Sequence, residues 1–177
     1  MRRATAVRAT TLAAAAAFFV PVEAMGQGQP IRPGQPITDP PPATPTDFTR
    51  VETRRSTGLT WIPLEVPDFP PGARVAVVHG DPNVRNRDYV IRIRFPGGYR
   101  FPVRWHEESE HITVLQGSFL FAVGDEFDEG MLRRYGPGDF VFAPARVAHY
   151  GGARLATVIQ VHGTGPFRMN LGASPIR

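Results

Sequence analysis

Between Trp61 and His162 the apolar residues recur mainly with a period of two, and no stretch sustains a helical period over three turns. Val75, Val77 and His79 alternate with Ala76 and Val78, and Ile91, Ile93 and Phe95 alternate with Arg92 and Arg94. Successive side chains on a strand point to opposite faces, so the second run predicts a half-buried strand with an aliphatic inner face and an arginine-bearing outer one. Gly80-Asp81-Pro82 and Pro96-Gly97-Gly98 supply turns. Further strands are predicted at Tyr99–Trp105, His111–Leu115, Ser118–Val123, Phe140–Ala143 and Leu155–Val161. Short, evenly spaced strands with turn signals between them predict an all-β sandwich or barrel.

The first 50 residues break this pattern. Arg2, Arg3 and Arg8 precede an apolar run from Leu12 to Val20, and Val22-Glu23-Ala24 places small residues where a signal peptidase reads. This layout predicts a secretory signal peptide over residues 1–24, and hence an exported protein, periplasmic or secreted. Residues 25–50 carry Pro30, Pro33, Pro36, Pro40, Pro41, Pro42 and Pro45 among polar neighbours, which predicts an extended, disordered spacer. Residues 51–177 are left for one barrel domain, a size able to bury a core. After the leader no run near twenty apolar residues occurs, so no stable membrane insertion is expected.

Composition narrows the chemistry. The 18 glycines and 19 prolines suit many strands joined by tight turns. The net charge of +4 is arginine-driven, and cleavage of the leader would remove three of those arginines and one glutamate. Arginines such as Arg92 and Arg94 alternate along predicted strands instead of clustering with aromatics, so no nucleic-acid partner is expected. Without cysteine the exported chain has neither disulfides nor thiolate ligands, and any metal site must use imidazole and carboxylate.

Two separated stretches carry that chemistry. The first runs Gly98-x5-Arg104-x-His106-x3-Glu110-x6-Gly117, and the second Gly138-x5-Pro144-x-Arg146-x2-His149-x3-Ala153. Arg104 and His106 share strand parity and project together, while Val103 and Trp105 point the other way. Glu110 has the parity of the core-like Ile112 and Val114, and His111 faces the opposite side. Pro144 ends the next strand and turns the chain so that His149 returns toward the same interior. Two imidazoles and one carboxylate converge, a set suited to Fe, Mn, Ni, Co or Zn.

Both stretches resemble the paired motifs of the cupin superfamily, G-x5-H-x-H-x3/4-E-x6-G and G-x5-P-x-G-x2-H-x3-N. About 110 residues, from Trp61 through Gln160-Val161-His162-Gly163, are similar to exported single-domain cupins of unassigned activity. The resemblance implies a double-stranded β-helix, or jelly roll, a homodimer, and a site of three His and one Glu. Three of those ligands are kept: His106, Glu110 and His149. Arg104 stands where the first His belongs, Arg146 where the second motif has Gly, and Ala153 where it has Asn. A guanidinium has no lone pair to give a metal.

Three arrangements remain open. A divalent ion sits on His106, Glu110 and His149; or Arg104 pairs with Glu110 and replaces the ion; or the ion stays and Arg104 grips an anionic small-molecule ligand. The first and third suit a metal-dependent enzyme of dioxygenase or isomerase type, and the second a non-catalytic binding or sensing barrel. Tyr150, beside His149, is a candidate to line the ligand cavity, with a core position as its other reading. His79 and His162 read as strand-end residues, and Asp125-Glu126-Phe127-Asp128-Glu129 as a solvated hairpin connection that does not fit a calcium loop. Mass spectrometry of the exported protein should find Met25 as the first residue; an intact leader would overturn the signal-peptide assignment.

Overall fold

A computed structural model describes residues 51–176, so the predicted leader and spacer lie outside the described residues. The strands are β1 (Ile62–Pro63), β2 (Arg74–His79), β3 (Asp88–Phe95), β4 (Arg100–Trp105), β5 (Glu110–Gln116), β6 (Phe119–Val123), β7 (Arg133–Tyr135), β8 (Phe140–Ala143), β9 (His149–Ala153), β10 (Thr157–Thr164) and β11 (Asn170–Leu171). They form two antiparallel sheets, ordered β1-β2-β3-β10-β5-β8 and β11-β4-β9-β6-β7. From β3 onward the chain crosses between sheets at nearly every connection. Strands distant in sequence therefore become neighbours, which is the winding of a double-stranded β-helix.

The period of two explains the thickest part of the core. In the β3–β10 ladder Ile91 faces Val161 and Ile93 faces Ile159, and all four side chains are buried. Each fully buried aliphatic side chain of this kind stabilises the fold by roughly 1.5–3 kcal/mol. Glu110, Ile112 and Val114 of β5 share the inner face, as their parity requires. Beside the aliphatic layer, the Phe95 ring lies 5.2 Å from Tyr99, 5.8 Å from Phe101 and 6.4 Å from Phe119. This aromatic cluster joins the two sheets.

Four strands were not expected from the sequence: β1, β7, β9 and β11. The short β7 is Arg133-Arg134-Tyr135 and has no apolar alternation. In β9 the pair Gly151-Gly152 reads as a break, yet both glycines lie inside a buried strand. A Cβ on Gly151 would meet the Leu120 carbonyl oxygen and stand 2.7 Å from the Phe101 ring; one on Gly152 would meet the Tyr99 carbonyl oxygen. Here glycine marks close approach of neighbouring backbones, not a turn.

The parity rule also has a local exception. Phe101 and Arg104 both point inward because the β4–β9 register shifts between them. The predicted pairing of Arg104 with His106 on one face survives, since both are buried while Val103 and Trp105 are only partly so.

Arg146 adopts φ 65, the left-handed conformation, where the resembling motif carries Gly. Its backbone N–H donates to the His106 carbonyl oxygen at 2.7 Å, tying the turn after β8 to the turn after β4. Gly117, at φ 88, has the same backbone demand and no space: a Cβ would meet the Ala156 carbonyl oxygen and lie 2.7 Å from the Thr157 Cα. Gly117→Ala should therefore cost more than about 2 kcal/mol, whereas Arg146→Gly should stabilise by about 0.5–1 kcal/mol by relieving the left-handed strain. Denaturant unfolding of both variants checks this, and equal effects would contradict it.

Candidate metal centre

Pairing of β4 with β9 builds the site. Arg104 near the end of β4 stands in register with His149, the first residue of β9, and His106 follows as the chain leaves β4. Four residues on, Glu110 opens β5 with its side chain inward. Arg104, His106, Glu110 and His149 are all under 5% exposed. Glu110 Oε2 lies 3.3 Å from His106 Nε2 and 3.7 Å from His149 Nε2. One ligand atom from each of His106, Glu110 and His149 lies within 4.8 Å of the others, so the three form a group able to hold a metal ion.

Backbone carbonyls determine which ring nitrogens face that point. His106 Nδ1 is 2.6 Å from the Arg168 carbonyl oxygen and His149 Nδ1 is 3.0 Å from that of Val147. A carbonyl only accepts, so each Nδ1 carries the proton and donates. Both neutral imidazoles then turn their Nε2 lone pairs toward Glu110. The short contacts to Glu110 are thus not ion pairs: lone pairs face lone pairs, and His149 Nε2 and Glu110 Oε2 have no hydrogen-bond partner. A proton or a cation between them would resolve the conflict.

Aromatic rings close the site. Phe167 stacks on His106 at 5.3 Å, Phe121 on His149 at 5.1 Å, and the two imidazoles stack on each other at 5.4 Å. The Arg104 guanidinium carbon stands 3.9 Å over the Phe101 ring and 5.7 Å from that of Phe69. Its Nε donates to His106 Nε2 at 3.3 Å, and its Nη1 is buried with no partner. One of the expected arrangements, a direct Arg104–Glu110 pair, is absent among the ion pairs of the described residues. The face of the guanidinium is held by Phe101, and its Nε edge is turned to the imidazole.

Burial is the first cause of every shift in this group. It pushes His106 and His149 down to about 3, with the charge of Arg104 adding to the effect, and it pushes Glu110 up, opposed by His149 and Arg104. Arg104 itself falls only to about 10 and stays charged near neutral pH.

The remaining candidates lie elsewhere. Tyr150 has the opposite parity to His149 and packs on Phe127 at 4.9 Å, beneath the 124–131 connection, so it does not join these residues. His79 contacts Glu52 at 2.9 Å. His162 contacts Gln160 at 3.0 Å and is the cross-strand partner of His111 on the outer face. What the sequence did not show are the carbonyls of Val147 and Arg168 and the walls Phe121 and Phe167. Carbonyl groups are common to every residue and carry no sequence signal, but inward parity of Phe121 on a predicted strand offered one clue.

Residues 91–156 match the family model described as a cupin domain. The barrel has the cupin fold. Among solved structures it resembles the polyketide cyclase RemF of Streptomyces resistomycificus, with 20% identity and a TM-score of 0.56 over 71% of this chain and 89% of that one. A cupin-2 domain of Rhodospirillum rubrum gives 13% identity and 0.53 over 69% and 80%. A cupin 2 conserved barrel protein of Rhodopseudomonas palustris gives 16% and 0.50 over 64% and 77%. These likenesses show the fold. No curated protein sequence matches the chain.

The titration of the metal-free protein has a definite sign. Two imidazoles with lowered pKa values contribute stability that is complete above about pH 6.5 and is lost as pH falls toward about 3. Glu110, raised, contributes stability below its ordinary carboxyl range that is lost as pH rises through its folded value. Stability should therefore climb from pH 4 to a maximum near pH 6.5, by up to about 1.4 kcal/mol per pH unit for each imidazole over part of the range. Melting curves of chelator-treated protein measure this; a flat profile from pH 4 to 6.5 would contradict burial of neutral imidazoles.

Proposed function

We propose that this protein is an exported cupin that holds a divalent metal ion on His106, Glu110 and His149 and takes a small anionic molecule beside it. The observation that carries the reading is the convergence of three buried lone-pair donors, two of them tautomer-locked by backbone carbonyls, with Glu110 Oε2 and His149 Nε2 left without partners. This donor set fits Fe, Mn, Ni, Co or Zn, each of which accepts imidazole and carboxylate. When bound, such an ion supplies Lewis acidity and, if redox-active, electron exchange with dioxygen.

The chain's own residues do the rest. His106 and His149 present oriented Nε2 atoms, Glu110 supplies negative charge, and the phenylalanine walls exclude water. Arg104 places a fixed positive charge and a free N–H at the edge of the group, suited to orienting a carboxylate. Dioxygenase-type or isomerase chemistry fits this layout. Export is supported by the leader motif of residues 1–24. Pairing of barrels as a homodimer is supported by Phe140 and Phe142, about half exposed on edge strand β8.

A second reading, a metal-free binding or sensing barrel, is favoured by one contact. Arg104 Nε already engages the His106 lone pair, and burial favours a neutral Glu110, so the group is chemically self-consistent with a proton in place of an ion. Elemental analysis and titration with the five metals separate the two. Wild type should bind one equivalent, His149→Ala should weaken binding by about 10–100-fold or more, and Arg104→His should tighten it by adding a nitrogen ligand. The metal reading fails if wild type stays metal-free at saturating concentrations while Arg104→His acquires a site.

A further inference from the structure

The buried groups without partners at this site are of opposite kinds. Glu110 Oε2 and His149 Nε2 present lone pairs and call for a cation or a proton, whereas Arg104 Nη1 presents an N–H and calls for an acceptor. A metal ion alone meets the first two and leaves the third buried and unmet. An anion alone meets Arg104 and stands against the lone pairs. Only the two together satisfy all three, and an unmet buried polar group costs about 1–3 kcal/mol.

Charge leads to the same conclusion. Metal-bound imidazoles are neutral and metal-bound Glu110 is a carboxylate, while Arg104 keeps its proton. A divalent ion and Arg104 together bring three positive charges against the one negative charge of Glu110. Two positive charges are then left uncompensated in a site walled by Phe101, Phe121 and Phe167. Neither a neutral ligand nor a monoanion removes that excess. A dianion does.

The donor count narrows the chemical class. Among the described buried atoms of the site, Arg104 Nη1 is the unpartnered N–H, and the surrounding rings offer no further donors. Phosphate holds its oxygens in a tetrahedron, so those left off the metal cannot lie together in the plane of the guanidinium, and the surrounding rings give the out-of-plane ones no donor. A compact dicarboxylate can place oxygens on the metal and one on the guanidinium, whose planar edge matches a carboxylate.

We propose that the ligand of this centre is a small dicarboxylate that bridges the metal and Arg104, and that metal and dicarboxylate bind cooperatively. The inference rests on the metal-binding reading above. Arg104 is what makes the coupling: without the ligand its charge repels the ion and its Nε holds the His106 lone pair, and with the ligand both effects are relieved. By linkage the metal must tighten the dicarboxylate by the same factor that the dicarboxylate tightens the metal.

The test measures Co(II) binding to the full mature protein at buffered free cobalt, alone and with oxalate, acetate, inorganic phosphate or ethylene glycol. In wild type, oxalate should tighten cobalt by about tenfold or more, within the usual range of coupling between sites. Acetate should act less, and phosphate and ethylene glycol not measurably. Arg104→Gln should bind cobalt at least as tightly as wild type without added anion and lose the oxalate effect. Arg104→Lys keeps the charge without the planar fork and should retain only part of it. Cobalt affinity in wild type that is indifferent to oxalate overturns the proposal while leaving the metal reading intact. Phosphate matching oxalate overturns the dicarboxylate class, and full coupling in Arg104→Gln overturns the role of Arg104. Wild type that takes no cobalt in any condition overturns the metal reading itself. Should Arg104→Gln fail to fold by circular dichroism, the wild-type comparison of oxalate with acetate and phosphate still decides.

Discussion

Four ionisable side chains are buried side by side, and their loss of water governs the rest of the site. Desolvation is the first cause of every pKa shift there, and it favours the uncharged form of each group. The imidazoles comply by staying neutral, which is the state a metal ligand needs. Arg104 does not comply, because its pKa starts too high for burial to remove the proton. Its charge is instead laid over the Phe101 ring, where the negative π face compensates part of what water supplied. One residue that remains charged therefore sets the field for its three neighbours.

That buried group depends on segments remote from the motifs. The tautomers of His106 and His149 follow from carbonyls at Arg168 and Val147, and the ring of Phe167 covers one imidazole. Arg168 lies past β10, just before the two-residue β11 that pairs with the end of β4 at Trp105 and Arg104. The C-terminal segment thus orients a ligand that the strand pairing of the barrel only places. A donor set read from spacing alone has the right atoms without the protons that decide which of them are free.

Legibility followed physical cause closely. Where one face of a strand is apolar, as in β3, β5 and β10, alternation fixed both strand and orientation, and it correctly turned Glu110 inward and His111 outward. Where glycine replaces side chains to admit a neighbouring backbone, as in β9, no alternation exists to be read. Motif spacing brought His106, Glu110 and His149 together because the pairing of β4 with β9 is dictated by the same winding. Of the two readings open for Tyr150, its packing on Phe127 accords with the core one, since adjacent residues of a strand face opposite sides and His149 faces the site. The Arg104–Glu110 pair failed for another reason, since charge complementarity in sequence says nothing of an aromatic ring competing for the same guanidinium.

The three departures from the cupin motifs are not equivalent. Arg146 replaces a glycine but retains its left-handed backbone and donates its N–H to the His106 carbonyl, so what changes is strain. Ala153 replaces an asparagine, is fully buried, and ties its N–H to the Tyr99 carbonyl oxygen at 2.9 Å, so the end of β9 stays paired. At both positions the backbone carries the structural role, and the change of side chain leaves that role in place. Arg104 reverses this relation. Its backbone keeps the register of a ligand-bearing position opposite His149, but its side chain exchanges a neutral lone-pair donor for a fixed positive charge. Fold and first-ligand chemistry are thereby separable at one residue: the same strand can hold a metal ligand or a cation, and the barrel's pairing does not distinguish them.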